Sequence, residues 1–151
     1  MKNPLKVITY PNPILNIKCK RIEKVTPELI VLSTLMMDIM VNNKGIGLAA
    51  NQVGKDIQLI VIDTKPVDIN GVTLVMFNPE ILNKEGSASI EEGCLSIPGF
   101  KKSIDRSNKI KVRYISILGQ EVEKEFQGIT SICIQHEIDH LFGITLKDYD
   151  F

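Results

Sequence analysis

The pentapeptide His136-Glu137-Ile138-Asp139-His140 carries the most specific chemical signal in the sequence. Residues four apart on an α-helix lie on one face, about 6 Å apart along the axis, so both imidazoles can reach one divalent ion. A glutamate between them can stand beside an activated water and move its proton to a leaving amine. The pattern therefore predicts a metal-dependent hydrolase with His136 and His140 as ligands and Glu137 as the general acid/base.

The third ligand of such a site is not supplied by the residues that follow. In one large protease group the motif continues as H-E-x-x-H-x-x-G-x-x-H, but here Leu146 stands where the last histidine would be. Asp148 and Asp150 are the only acids downstream, and we do not favour them. Both histidines of the chain are already used, so an upstream cysteine is the better candidate.

Two cysteines compete for this position. Cys133 lies on roughly the same helix face as the histidines, but about 10 Å from His140 along the axis at ~1.5 Å per residue, so one ion would not reach all three. Cys94 follows Gly93 and precedes Pro98-Gly99, which allow a shaped loop. We favour Cys94 as the ligand over the alternative of a buried small residue. A thiolate beside two imidazoles suits Fe(II), Zn or Ni rather than Mg or Ca.

The glycine-rich segment 45–54 is the second unusual feature. It lacks the G-K-[ST] of a phosphate loop, and Ala50 stands where the dinucleotide pattern has its last glycine. Two interpretations stay open. Either small residues let the backbone approach a ligand while Gln52 donates to a developing oxyanion, or the segment is a tight connection from helix to strand with Gln52 in solvent.

Two helices are predicted to flank these motifs. The first begins with Thr26 as N-cap and Pro27 at its first position, and it extends to Met40. Its apolar residues surround most of its circumference, so we expect it to be well buried. The second, over 129–141, carries the pentapeptide and is closed by Gly143.

Between the helices, short alternating or apolar runs predict strands at 57–62, 72–77, 110–115 and 121–126. Asn70-Gly71, just before the second of these, is typical of a hairpin turn. Several hairpin-linked strands between two helices indicate an α+β fold with antiparallel pairing.

Composition limits the function classes. Eighteen basic residues balance eighteen acidic ones, which leaves no net field to hold nucleic acid or an anionic membrane surface. The 151 residues fit one domain over 1–151. No apolar stretch is long enough to span a bilayer, and the N-terminus lacks the apolar region of a signal peptide. Three widely spaced cysteines argue against a disulfide framework, so we expect reduced thiols and a cytoplasmic location.

Three segments together resemble the signature of one family. They are Gly-Ile-Gly-Leu-Ala-Ala-Asn-Gln at 45–52, Glu-Gly-Cys-Leu-Ser at 92–96 and Gln-His-Glu-Ile-Asp-His at 135–140. In order and approximate spacing they are similar to the three motifs of peptide deformylase. The segments 9–15 and 78–79 also resemble the bacterial enzymes, so the resemblance covers nearly the whole chain.

The resemblance implies antiparallel β-sheets packed around a central C-terminal helix that carries the HExxH motif. It also implies an activity, removal of the N-formyl group from the formyl-methionine of newly synthesised polypeptides. Cys94, His136 and His140 would bind one divalent metal, usually Fe(II) with Zn or Ni as substitutes, and water would be the fourth ligand.

Roles for further residues follow from the same resemblance. Glu137 would be the general acid/base, and Gln52 with the backbone N–H of Leu95 would stabilise the oxyanion. The backbone of Gly47 would help to hold the peptide as an added strand. The methionine pocket would be lined by Ile46, Ile90, Ile129, Ile132 and Cys133.

The implied partners are N-formylmethionyl peptides and nascent chains. The chain ends eleven residues past His140, where many bacterial members continue into a helix used at the ribosome, so any ribosome association is expected without that helix. Lys101 stands where many members carry arginine, and contacts downstream of methionine are expected to differ. We further hypothesise that Glu92 pairs with Arg106 to brace the Cys94 loop.

Two other functions use the same residues. A small metallopeptidase would cut internal peptide bonds with the same pentapeptide. A metal-storage or structural-metal domain would bind the ion without turnover. Glu137 argues against the structural domain, since a closed site has no need of a carboxylate between its ligands.

Overall fold

The computed structural model describes residues 3–149, which form two α-helices, seven strands and three short 3-10 turns. The helices are α1 (Pro27–Asn42) and α2 (Gly128–Leu141). The strands are β1 (Gly47–Ala49), β2 (Leu59–Asp63), β3 (Thr73–Glu85), β4 (Glu91–Gly93), β5 (Lys101–Ser103), β6 (Lys109–Ile115) and β7 (Glu121–Gln127). The 3-10 turns are Pro13–Asn16, Ala50–Val53 and Leu146–Asp148. No helix within this range is long and apolar enough to cross a membrane.

Of the strands formed by residues 3–149, five pair in one antiparallel sheet of order β1-β2-β3-β6-β7, and β4 pairs with β5 in a separate ladder. Helix α2 packs on the larger sheet through Ile134, Ile138 and Leu141. The predicted α+β class, with antiparallel sheets around the helix that carries the HExxH motif, is confirmed. The predicted strand at 72–77 is the first part of a longer strand, because β3 continues to Glu85.

Strand β2 is buried on both faces because the two helices cover it from opposite sides. Ile60 and Ile62 pack in the cluster that includes α2, and Leu59 and Val61 pack in the cluster that includes α1. This explains why its sequence is continuously apolar instead of alternating. The sequence prediction of a buried strand here is confirmed.

Helix α1 begins as predicted, with the side chain of Thr26 accepting a hydrogen bond from the Leu29 N–H at 3.3 Å. The expectation that this helix is well buried is wrong. Met36 and Met40 are fully buried against the sheet, whereas Val31 is 57% exposed on the outer face. The helix packs on one side only, since no other described element covers its outer face.

The Asn70-Gly71 dipeptide lies in the predicted hairpin connection, since β2 and β3 pair in antiparallel fashion, but it does not join the two strands as a tight turn. The β2–β3 ladder ends with Asp63 opposite Thr73, so the connection covers all of 64–72. A Cβ on Gly71 would lie 2.5 Å from the backbone of Thr64, so glycine is required for close backbone approach within a longer loop. Hydrogen bonds between Thr64 and Val72, and from the Asp68 N–H to the Thr64 carbonyl, close this longer loop in place of a tight turn.

Candidate metal centre

Helix α2 presents two imidazoles toward the same point. His136 and His140 are separated by one helical turn, and their Nε2 atoms lie 3.2 Å apart. Both rings are buried, with exposed fractions of 8% and 1%. Burial of two ionisable rings side by side is costly unless they share a cation or a proton.

The loop after β4 brings a thiol to this point. Sγ of Cys94 lies 3.5 Å from Nε2 of His140, and the three donor atoms lie within 4.8 Å of one another. At about 2.3 Å from sulfur and about 2.0–2.1 Å from nitrogen, a tetrahedral ion separates sulfur from nitrogen by about 3.5 Å and nitrogen from nitrogen by about 3.3 Å. The spacing of Cys94, His136 and His140 therefore fits one divalent ion. Cys19 and Cys133, like Cys94, are free thiols, as expected.

A buried ion-pair network holds the outer side of His136. Oε1 of Glu92 lies 2.9 Å from Nδ1 of His136, so the ring is fixed through the nitrogen that faces away from the candidate ion. Arg106 donates from Nε and Nη2 to the two carboxylate oxygens of Glu92, at 2.7 and 2.9 Å. The hypothesised Glu92–Arg106 pair is confirmed. Sequence reasoning missed the link to His136, although Glu92 lies two residues before Cys94 in the same motif.

The charges around the imidazoles favour a cation. Burial opposes protonation of His136, but the charge of Glu137 and hydrogen bonds with Cys94 and Glu92 outweigh it and raise the pKa of His136 to about 10. Burial and the neighbouring His136 lower the pKa of His140 well below its usual value. Burial alone would raise the pKa of Glu92, but hydrogen bonds from His136 and Arg106 hold it below its usual value. Anionic groups that hold a proton on His136 also attract a divalent cation.

Glu137 has the environment of a general acid/base. Its side chain is 4% exposed, its Oε2 lies 3.9 Å from Nε2 of His136, and its Oε1 has no hydrogen-bond partner among the described residues. Burial raises the pKa of Glu137 to about 7. A buried carboxyl group with one free oxygen and a pKa near neutrality is suited to accept and return a proton.

Gln52 is fixed beside the thiol. It lies in the 3-10 turn Ala50–Val53 that follows β1, and its Oε1 accepts a hydrogen bond from the Ala49 N–H at 2.9 Å. Its amide nitrogen therefore faces Ser96, at 2.9 Å from the hydroxyl, and Cys94, at 3.5 Å from the sulfur. The interpretation that placed Gln52 in solvent is wrong, since the residue is 1% exposed. Ser96 was not among the predicted site residues.

A cavity of about 570 Å³ opens directly onto these groups. Of the residues predicted to contact substrate, Ile46, Gly47, Ile90, Ile132 and Cys133 line it, together with Leu95 of the Cys94 loop. Ile129 is not among the described residues that line this cavity, because it lies one helical turn nearer the start of α2 than Ile132 and Cys133. Lys101 also lines this cavity.

Gly47 allows β1 to pass close to α2. A Cβ at this position would lie 2.5 Å from Oε2 of Glu137 and 2.9 Å from Sγ of Cys133. That thiol also donates to the carbonyl of Ile46 at 3.4 Å, which fixes it in the cavity wall. The absence of a side chain at Gly47 therefore leaves room for the Glu137 carboxylate beside the metal-ligand candidates.

The arrangement belongs to the metal-dependent hydrolases that carry two histidines and a glutamate on one helix, here with a cysteine supplied by a separate loop. Comparison of the whole sequence narrows this class. The family model for polypeptide deformylase matches residues 4–149, and the chain belongs to the peptide deformylase family. The resemblance found in the three motifs is thus confirmed.

Individual relatives match nearly the whole chain in sequence or in structure. The peptide deformylase of Buchnera aphidicola subsp. Acyrthosiphon pisum (strain Tuc7) is 46% identical over 145 residues, covering 96% of this chain and 83% of that protein. The crystal structure of a peptide deformylase from Legionella pneumophila has a TM-score of 0.90 at 34% identity and covers 97% of this chain and 86% of that one. The crystal structure of peptide deformylase from Thermotoga maritima has a TM-score of 0.89 at 33% identity, and the match covers 97% of both chains.

Proposed function

We propose that this chain hydrolyses the N-formyl group of N-formylmethionyl polypeptides, releasing formate, and that residues 1–151 form one catalytic domain. The observation that carries the proposal is the position of Glu137. Its buried carboxylate lines the same cavity as Cys94 and His136, with Oε2 3.9 Å from Nε2 of His136 and Oε1 without a partner among the described residues. A site that only stores or binds a metal has no use for that group.

Cys94, His136 and His140 are the proposed ligands of one divalent metal. We favour Fe(II), with Zn or Ni as alternatives, because a soft thiolate and two imidazoles select these ions over Mg or Ca. When bound, the ion supplies Lewis acidity, which polarises the formyl carbonyl and lowers the pKa of water. Glu92 orients His136 for this role through the opposite ring nitrogen.

Glu137 transfers the proton in the proposed reaction. The carboxylate takes a proton from the attacking water while the water oxygen forms a bond to the formyl carbon. The carbon–nitrogen bond then breaks, and Glu137 returns the proton to the departing amine. The burial of Glu137, with Oε1 free of any partner among the described residues, suits both halves of this exchange.

Negative charge on the formyl oxygen is stabilised by two proposed donors, the amide of Gln52 and the backbone N–H of Leu95. The hydrogen bond from the Ala49 N–H to Gln52 supports this role, because it fixes which end of the amide faces Cys94. Leu95 follows Cys94 directly and borders the same cavity.

Substrate recognition combines a strand edge and an apolar pocket. β1 is an edge strand of the five-stranded sheet in the described structure, which supports the proposal that the backbone of Gly47 pairs with an extended peptide. The methionine side chain would occupy the proposed pocket lined by Ile46, Ile90, Ile132 and Cys133. Cys133 serves this pocket as a small apolar residue. Nascent chains in the cytoplasm are the proposed natural substrates, and ribosome association stays a prediction.

Anaerobic purification, elemental analysis and a formate-release assay on formyl-Met-Ala-Ser test the proposal directly. We expect one equivalent of metal, formate release, and loss of activity in air if the metal is Fe(II). Glu137→Ala should retain the metal and lose turnover, and retained activity would remove the proposed mechanism. Cleavage of internal peptide bonds without formate release would favour the metallopeptidase alternative, and metal binding without any turnover would favour the structural-metal domain.

A further inference from the structure

Tyr149 connects the two segments that supply the candidate metal ligands. Its ring packs against the cluster of Ile97, Ile104 and Leu146, which the half-buried Cys94 also contacts. Its hydroxyl donates to Oδ2 of Asp139 at 2.5 Å, on α2 and one residue before His140. One side chain thus packs in the cluster that includes Ile97 of the Cys94 loop and also forms a hydrogen bond to the helix of the imidazoles.

The Asp139 carboxylate links this contact to the ion-pair network around His136. Its Oδ2 accepts from Nη1 of Arg106 at 3.0 Å as well as from the tyrosine hydroxyl. The remaining donors of Arg106 bind Glu92, and Glu92 binds Nδ1 of His136. A continuous series of hydrogen bonds therefore leads from Tyr149 to a candidate metal ligand.

Tyr149 is itself held in place by its neighbours. Leu146, three residues earlier, is 1% exposed, and the 3-10 turn Leu146–Asp148 is capped by the side chain of Thr145. The ammonium group of Lys102 donates to the Tyr149 carbonyl, and the Arg106 guanidinium lies 5.5 Å from the ring centroid. Burial and the hydrogen bond to Asp139 raise the pKa of the tyrosine to about 12, so the hydroxyl remains a donor at neutral pH.

We propose that Tyr149 is a positioning residue of the metal centre. Acting through Asp139, it fixes the orientation of Arg106 and Glu92, and thereby the His136 ring relative to Cys94, without touching ion or substrate. The inference rests on the proposed metal site and adds a determinant outside the three sequence motifs. Hydrogen-bond partners beyond the ligands are known to tune metal affinity strongly, since they set ligand direction.

The test compares Tyr149→Phe with wild type, because this change removes one hydroxyl and keeps the ring. Both full-length proteins are loaded with Co(II), whose visible absorption bands report ligand geometry. We expect a shift of these bands and a release of Co(II) to EDTA that is roughly tenfold faster, at the lower end of measured effects for such partners. We also expect a lower kcat on formyl-Met-Ala-Ser at unchanged KM. Tyr114→Phe is the matched control, because Tyr114 is a buried tyrosine of β6 in the core cluster away from Tyr149.

A purely structural role would lower the melting temperature of Tyr149→Phe and leave the absorption bands and the release rate unchanged, and that result would overturn the proposal. Should Tyr149→Phe fail to fold, Asp139→Asn keeps an acceptor for both donors but removes the charge. A shift in its Co(II) bands in the same direction supports the proposal, and wild-type bands refute it. Failure of wild type to release formate would count against the proposed function alone, since spectrum and release rate are measured without substrate.

Discussion

Oε1 of Glu92 lies 2.9 Å from Nδ1 of His136, with the other side of the carboxylate held by Arg106. The contact fixes the ring so that Nε2 points at His140 and Cys94. We expect Glu92→Gln to lower metal affinity about 10–100-fold, because the neutral amide orients and polarises the ring less well. Competition against a chelator measures this affinity. Glu91→Gln, at the exposed neighbouring position, should bind metal like wild type, and equal affinities of the two variants would show that the contact has no such role.

Gln52→Leu should reduce kcat about 10²–10³-fold while the metal stays bound, because a fixed donor to the oxyanion is lost. The change also leaves the Ala49 N–H without its acceptor, so some loss of stability is expected. Gln58→Leu controls for this, since Gln58 is likewise buried but donates to the Cys19 carbonyl, away from the site. Formate-release kinetics and thermal melts separate the two effects. A kcat within a few-fold of wild type would rule out Gln52 as an oxyanion donor.

Gly47→Ala should lower kcat about 10–100-fold, because the new methyl group would lie 2.5 Å from Oε2 of Glu137 and displace the carboxylate. The clashing atoms, which include Cγ of Glu137, belong to the side chains of Glu137 and Cys133 and not to the backbone, so metal content should be nearly unchanged and the loss of stability modest. Gly93→Ala is the matched control, since its Cβ would meet no described atom within 4 Å. The kinetics of the two variants should differ clearly, and similar values would contradict the tight approach of β1 to α2.

The cysteines should differ in reactivity once the metal is removed. Burial and then the charge of Asp56 raise the pKa of Cys19 to about 11, and burial raises that of Cys133 well above its usual value. A raised pKa leaves little thiolate at pH 8, where alkylation requires it. We expect iodoacetamide to modify only Cys94 in the chelated protein, and none of the three when metal is bound. Peptide mapping by mass spectrometry identifies the modified cysteines. Rapid labelling of Cys19 or Cys133 in folded protein would contradict the burial of these two thiols.

The pentapeptide with its two candidate ligands and the start of α1 could both be predicted from the sequence, because each depends only on residues close together along the chain. The pentapeptide needs only helical geometry to bring His136 and His140 to one face, and Thr26-Pro27 needs only capping chemistry to begin α1. The predicted burial of α1 is wrong, because burial depends on elements that are distant along the chain. Apolar spacing indicates which residues can be buried, but the number of elements that cover a helix is a property of the tertiary structure.

The amino-acid order alone thus determined the class of chemistry, the candidate ligands and the α+β class, since these follow from residue types at fixed separations. Only the folded chain decided how distant segments meet. It placed Glu92 against His136 and Tyr149 against Asp139, and it packed β1 so closely that Gly47 leaves room for Glu137. It also kept Ile129 away from the cavity that the other predicted pocket residues line. Such contacts depend on packing between elements far apart in sequence, and no local periodicity encodes them.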